Sequence, residues 1–140
     1  MSKPEVSLIL PSIRTERLPK LYESILKSTK RNFELVICGP SPLPEELKDL
    51  RNVKYIKDYG SPVRASNIAA SLCEGEVYTW LADDCSFFEN SLDQCLDEFY
   101  DMGTAQNNVL VAKYYEGQQG STDRETLQPD SYFRINHSPA

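Results

Sequence analysis

Apolar residues along this chain fall into two recurring patterns. Continuous short runs, Val6 to Leu10, Phe33 to Cys38, Val53 to Ile56 and Val77 to Ala82, read as buried strands, because each is short, rich in strand-forming residues and bounded by turn residues. Between them the apolar positions return at helical spacing. Leu18, Leu21, Tyr22, Ile25 and Leu26 form one stripe. Ala65, Ile68, Ala69 and Leu72 form a second, inside a helix predicted from Val63 to Cys73, whose other face carries Arg64, Asn67 and Ser71. Leu92, Cys95, Leu96 and Phe99 form a third, with Asn90 or Ser91 as its cap. Thr15 stands where it would cap the first helix, with Pro19 in the first turn, and Pro44 to Leu50 predicts one more short helix. Asn108 to Tyr115 and Tyr132 to Ile135 read as further strands, separated by a polar loop from Gly117 to Asp130. Strands alternating with helices predict an α/β fold, a mostly parallel sheet with helices on both faces.

Composition narrows the function classes. A chain of 140 residues is one domain or part of a larger one, and its 26% charged and 40% hydrophobic residues are ordinary for a globular protein. A net charge of −6 without a basic cluster argues against nucleic acid as a partner. Cys38, Cys73, Cys85 and Cys95 show no CxxC spacing, and His137 is the single histidine, so they read as reduced packing residues rather than zinc ligands. No leader-like segment precedes the first strand, and no apolar stretch approaches the roughly 20 residues of a membrane span. The expectation is a cytoplasmic protein.

Parallel α/β sheets bind ligands beyond the carboxyl ends of their strands. The unusual clusters of this sequence fall at such ends: Pro11-Ser12-Ile13-Arg14, Cys38-Gly39-Pro40-Ser41, Asp58 and Asp83-Asp84. The acid pair is the sharpest of them, because it follows an apolar strand directly and two adjacent carboxylates need a positive partner. That partner is a basic side chain or a hard divalent cation, which takes oxygen ligands from one or two carboxylates and from substrate phosphates. The competing reading is a pair that caps the next turn. Arg64 and Asn67, on one helix face just before the acidic strand, favour a binding site; a solvated face is their other reading. Tyr78 and Trp80 read as core residues.

Three blocks, "VSLILPS" at Val6 to Ser12, "FELVICG" at Phe33 to Gly39 and "YGSPVRASNIAASLCEGEVYTWLADDCSFFENSL" at Tyr59 to Leu92, together resemble the family-2 glycosyltransferases of the GT-A fold, over about residues 5 to 100. The resemblance implies a Rossmann-like nucleotide-binding domain over residues 1–116, with residues 117–140 as a polar loop and the start of an acceptor-side region. It implies a nucleotide-diphosphate sugar as donor, an acceptor hydroxyl, and Mn²⁺ or Mg²⁺ as cofactor. By position, Asp84 is the implied metal ligand and Asp83 the ribose or metal-shell contact. Pro11, Ser12, Arg14, Gly39, Asp58, Arg64 and Asn67 are the implied donor-binding residues.

Two positions depart from the family pattern. The carboxylate expected after the second strand is replaced by Cys38-Gly39-Pro40-Ser41, with Asp58 as its nearest substitute. The catalytic base is expected beyond Ala140, and Asp123, Glu125 and Asp130 fall in no recognisable catalytic motif. The expected behaviour is donor binding with little transfer by this chain alone, and an incompletely covered sheet leaves self-association open. Two other readings remain: a non-catalytic binding or interaction module of the same fold, and a nucleotidyltransferase. The latter is disfavoured by a glycine-free loop at Pro11 to Thr15.

Overall fold

A computed structural model describes residues 3–103 and 108–112, with the backbone alone of 115–116, 128–129 and 133–136. The chain divides into two compact units, residues 1–23 with 30–85 and residues 24–29 with 86–140.

The first unit is built on four parallel strands: β1 (Val6–Pro11), β2 (Phe33–Gly39), β3 (Val53–Lys57) and β4 (Val77–Trp80), in the order β3-β2-β1-β4. The central pair explains the unbroken apolar runs. β2 is buried along its whole length, as is β1 up to Leu10, because both faces of both strands are covered. On one face lies α3 (Pro62–Ser71), whose Ala65 and Ala69 pack with Ile9, Val36 and Cys38. Small residues on the helix let it approach the strands closely. Ser61 caps α3, its hydroxyl accepting the Arg64 amide at 3.2 Å, and Pro62 occupies the first turn, where its missing N–H costs nothing.

The buried charge of Glu34 is paired at both oxygens. Glu34 Oε1 accepts from the Ser7 hydroxyl and the Glu74 amide, both at 2.7 Å, while Lys54 Nζ lies 3.0 Å from its other oxygen. The Gly75 amide donates to Ser7 Oγ at 2.8 Å. This network ties the entry of β4 to β1 and β2, which makes burial of the Glu34 charge tolerable.

Several expectations change. Among the described residues β4 is an edge strand of four residues, and Tyr78 and Trp80 are 50% and 61% exposed rather than core. Their register partners, Ser7 and Ile9, lie on the α3 face of β1, so both rings point to that side but beyond what the helix covers. Leu72 is likewise exposed at the end of α3. Thr15 does not cap α1 (Leu18–Ser28); it is buried in a 3-10 turn from Thr15 to Arg17 that precedes the helix. Leu18, Leu21 and Ile25 are buried on α1 as the stripe predicts, but Leu26 is 52% exposed and Ser28 takes a buried position, its hydroxyl donating to the Ile25 carbonyl. A short helix, α2 (Glu45–Lys48), joins β2 to β3.

In the second unit α4 (Ser91–Asp101) buries Leu92 and Leu96, with Cys95 and Phe99 half-buried. Asn90 precedes it in a left-handed conformation, φ 62°, and makes no side-chain cap bond. The strand predicted from Asn108 does not extend the parallel sheet. β5 (Asn108–Val111) pairs antiparallel with β8 (Phe133–Asn136), and β6 (Tyr115–Glu116) with β7 (Gln128–Pro129). Most of the predicted 117–130 loop lies outside the described residues.

Candidate functional site

The carboxyl ends of the four strands carry two charged clusters. The first joins β1 to β4. Asp83, three residues past β4, is 4% exposed. Its Oδ2 accepts from Ser12 Oγ at 3.2 Å, the Ile13 amide at 3.1 Å and the Arg14 amide at 3.0 Å. Its Oδ1 accepts from Arg14 Nε at 2.9 Å and from Nη2. The carboxylate therefore gathers two consecutive backbone amides, a hydroxyl and a guanidinium, and fixes the loop that leaves β1. Burial pushes the Asp83 carboxyl up, but the Arg14 guanidinium and the two amides outweigh it and hold the group below the usual carboxylate range. The same partnership, chiefly the hydrogen bond to Asp83, pushes the Arg14 pKa up.

Asp84 behaves differently. Its side chain is half exposed, and Oδ2 stands 3.6 Å from Arg14 Nη2, too far for a hydrogen bond. The two acids sit in the turn that follows β4, closed by the Cys85 amide donating to the Ala82 carbonyl at 3.2 Å, and within it Asp83 turns inward and Asp84 outward. Cys85 follows; burial pushes its thiol up to about 11, which keeps it protonated and unreactive near neutral pH. None of the four cysteines is in a disulfide.

The ends of β1 and β2 meet without side chains between them. A Cβ on Gly39 would lie 1.8 Å from the Ser12 carbonyl oxygen, so only glycine admits that approach. Ser12 N donates to the Cys38 carbonyl at 3.0 Å, and Ser41 Oγ donates to the Ile13 carbonyl at 3.2 Å. The Tyr55 hydroxyl donates to the Ser41 carbonyl, tethering the loop after β2.

The second cluster lies at the end of β3. The Asp58 amide donates to the Gly39 carbonyl at 3.1 Å. The Asp58 carboxylate accepts from the Gly60 amide at 2.9 Å and from Arg64 Nε at 3.0 and 3.2 Å, and these bonds, Arg64's first, draw its pKa down. Asp58 thus stands beside the end of β2, where the sequence lacks its expected carboxylate. Asn67, one turn beyond Arg64, shares with Arg64, Ser61, Val63, Ile68 and Ser71 an open hollow of about 510 Å³ along the outer face of α3.

The structure brings Ser12, Arg14, Asp83 and Asp84 into one group and Gly39, Asp58 and Arg64 into another. The Ile13 amide is a partner that the sequence did not reveal, since backbone donors carry no residue signature. Asp123, Glu125 and Asp130 lie outside the described residues.

The donor set bears directly on the implied cation. Both oxygens of Asp83 are taken up by the chain's own donors, so Asp84 is the carboxylate that fits a hard metal ion. Among the described residues no group of three or more His, Cys, Asp or Glu side chains converges on one point. One carboxylate suffices only where substrate phosphates and water complete the shell.

A parallel sheet with charged groups at the carboxyl ends of its strands defines a Rossmann-like α/β domain. The chain belongs to glycosyl transferase family 2, whose family model matches residues 7–139. No curated protein matches it. No helix among the described residues is long and apolar enough to cross a membrane.

Proposed function

We propose that this chain binds a nucleoside-diphosphate sugar across the carboxyl ends of β1 to β4, as the donor half of a glycosyl transfer to an acceptor hydroxyl. The observation that carries this reading is the division of labour within the acid pair. Asp83 holds the β1 loop closed, and Asp84 faces outward beside a cation. In the transfer, a bond forms between the acceptor oxygen and the anomeric carbon while the bond to the diphosphate breaks. The acceptor's proton passes to a base that the described residues do not identify.

Pro11, Ser12 and the amides held by Asp83 line the place for the nucleoside. Arg14 supplies positive charge near the diphosphate while orienting Asp83. Asp84 would hold Mn²⁺ or Mg²⁺; when bound, such an ion neutralises charge on the leaving diphosphate. The engagement of Asp83 by Arg14 favours a second reading, a binding module without transfer, because the arginine already neutralises one acid without a metal.

Calorimetric titration of UDP and GDP, with and without Mn²⁺, tests both. Mn²⁺ should tighten binding by about tenfold or more, and Asp84→Asn should abolish that gain. Asp83→Asn should weaken binding with and without Mn²⁺ alike, because it frees the loop rather than removing a ligand. Equal affinity with and without Mn²⁺ sinks the metal-assisted reading in favour of the binding module, and no diphosphate binding at all sinks both.

A further inference from the structure

The turn from Asp58 to Arg64 has a geometry that the diphosphate site leaves unused. Arg64 bonds Asp58 through Nε alone, and among the described residues Nη1 and Nη2 have no hydrogen-bond partner. Its side chain is nevertheless 64% exposed and held at its base, so the guanidinium presents an oriented pair of donors to solvent. Gly60 makes this possible. A Cβ there would lie 2.3 Å from Arg64 Cδ and 2.9 Å from Asp58 Oδ2, so the arginine stem crosses the turn where a side chain would otherwise stand. Tyr59 is 77% exposed, and Lys57 Nζ stands 5.5 Å from its ring centroid. A fixed donor fork, an exposed aromatic ring and an amide at Asn67 thus lie on one short segment at the ligand-binding end of the sheet.

We propose that this turn reads the donor's base and selects guanine. The inference rests on the donor-binding reading above. Two parallel N–H donors match two adjacent acceptors, and guanine offers them as O6 and N7. Uracil separates its two carbonyl oxygens with an N–H donor. Adenine places an amino group beside N7, so the second guanidinium donor meets another donor. Cytosine pairs O2 with N3 but presents a smaller ring for stacking on Tyr59. Asp58 acts as the positioning residue, holding Arg64 Nε so that the outer edge of the fork stays free.

Binding of GDP, UDP, ADP and CDP to the full chain, at one Mn²⁺ concentration, tests this. The expected result is GDP bound about tenfold more tightly than UDP or ADP, with CDP between. Arg64→Lys keeps the charge but not the fork, and should erase the preference while retaining diphosphate binding. Gly60→Ala should do the same, because the added methyl displaces the arginine stem; circular dichroism and a thermal melt check that both variants fold. Four equal affinities, a preference for UDP, ADP or CDP, or a GDP preference that survives Arg64→Lys overturns the inference and leaves the donor reading standing. Failure of all four to bind removes the donor reading, and the inference with it.

Discussion

Asp83 and Asp84 are chemically identical neighbours, and their surroundings give them different work. Asp83 collects five donor contacts and is nearly buried; Asp84 is half exposed with one loose ionic neighbour. Replacing Asp83 with asparagine removes the charge that those donors solvate. Counting only the hydroxyl and the two amides, because Arg14 is too exposed to add much, Asp83→Asn should cost about 2 kcal/mol. The urea midpoint checks this, and Asp84→Asn should leave the midpoint within error. Equal losses in the two variants would show that the acids are not differentiated. From the sequence, the pair was legible as a site needing a cation, and Arg14 was among the candidates. Which acid took the arginine was not, because the choice depends on where the strand stops relative to the β1 loop.

At the scale of elements, the central strands behaved as their apolar runs predict, and the edge did not. Val77 to Trp80 has the composition of a buried strand, yet with β1 on one side and no strand on the other among the described residues, its rings face water. Trp80 is the sole tryptophan, so the fluorescence of the protein reports its surroundings directly. Native fluorescence should show the emission of a solvent-exposed indole and near-complete quenching by acrylamide. A blue-shifted, unquenched Trp80 would mean that another surface covers the β4 edge. The helices follow the same rule. Periodicity located the buried stripes of α1, α3 and α4, but their margins, Leu26 and Leu72, depend on how far each neighbouring surface extends.

For the whole molecule, several carboxylates are bound to cations or amides, and this sets the response to acid. Asp58, Glu74 and Asp83 are held below the usual carboxylate range, mainly by Arg64, Lys54 and Arg14 against whatever burial opposes. A folded-state pKa below the unfolded one stabilises the fold above the ordinary range, and that stability drains away as pH falls through it. The urea midpoint should therefore be flat near neutrality and fall below about pH 4, with a shallower fall in Asp83→Asn because the other two groups are more exposed. A midpoint unchanged down to pH 3 would contradict the assignment. The sequence by itself determined the parallel α/β class, the central strands, the family and the end of the sheet where charged groups gather. All of these follow from the periodicity of burial and from short motifs, which are local in the chain. Only the tertiary structure decided which strand became an edge, which acid met Arg14 and how Gly60 lets Arg64 cross to Asp58. Those outcomes are distances between residues remote in sequence or set by a turn, and no local pattern encodes them.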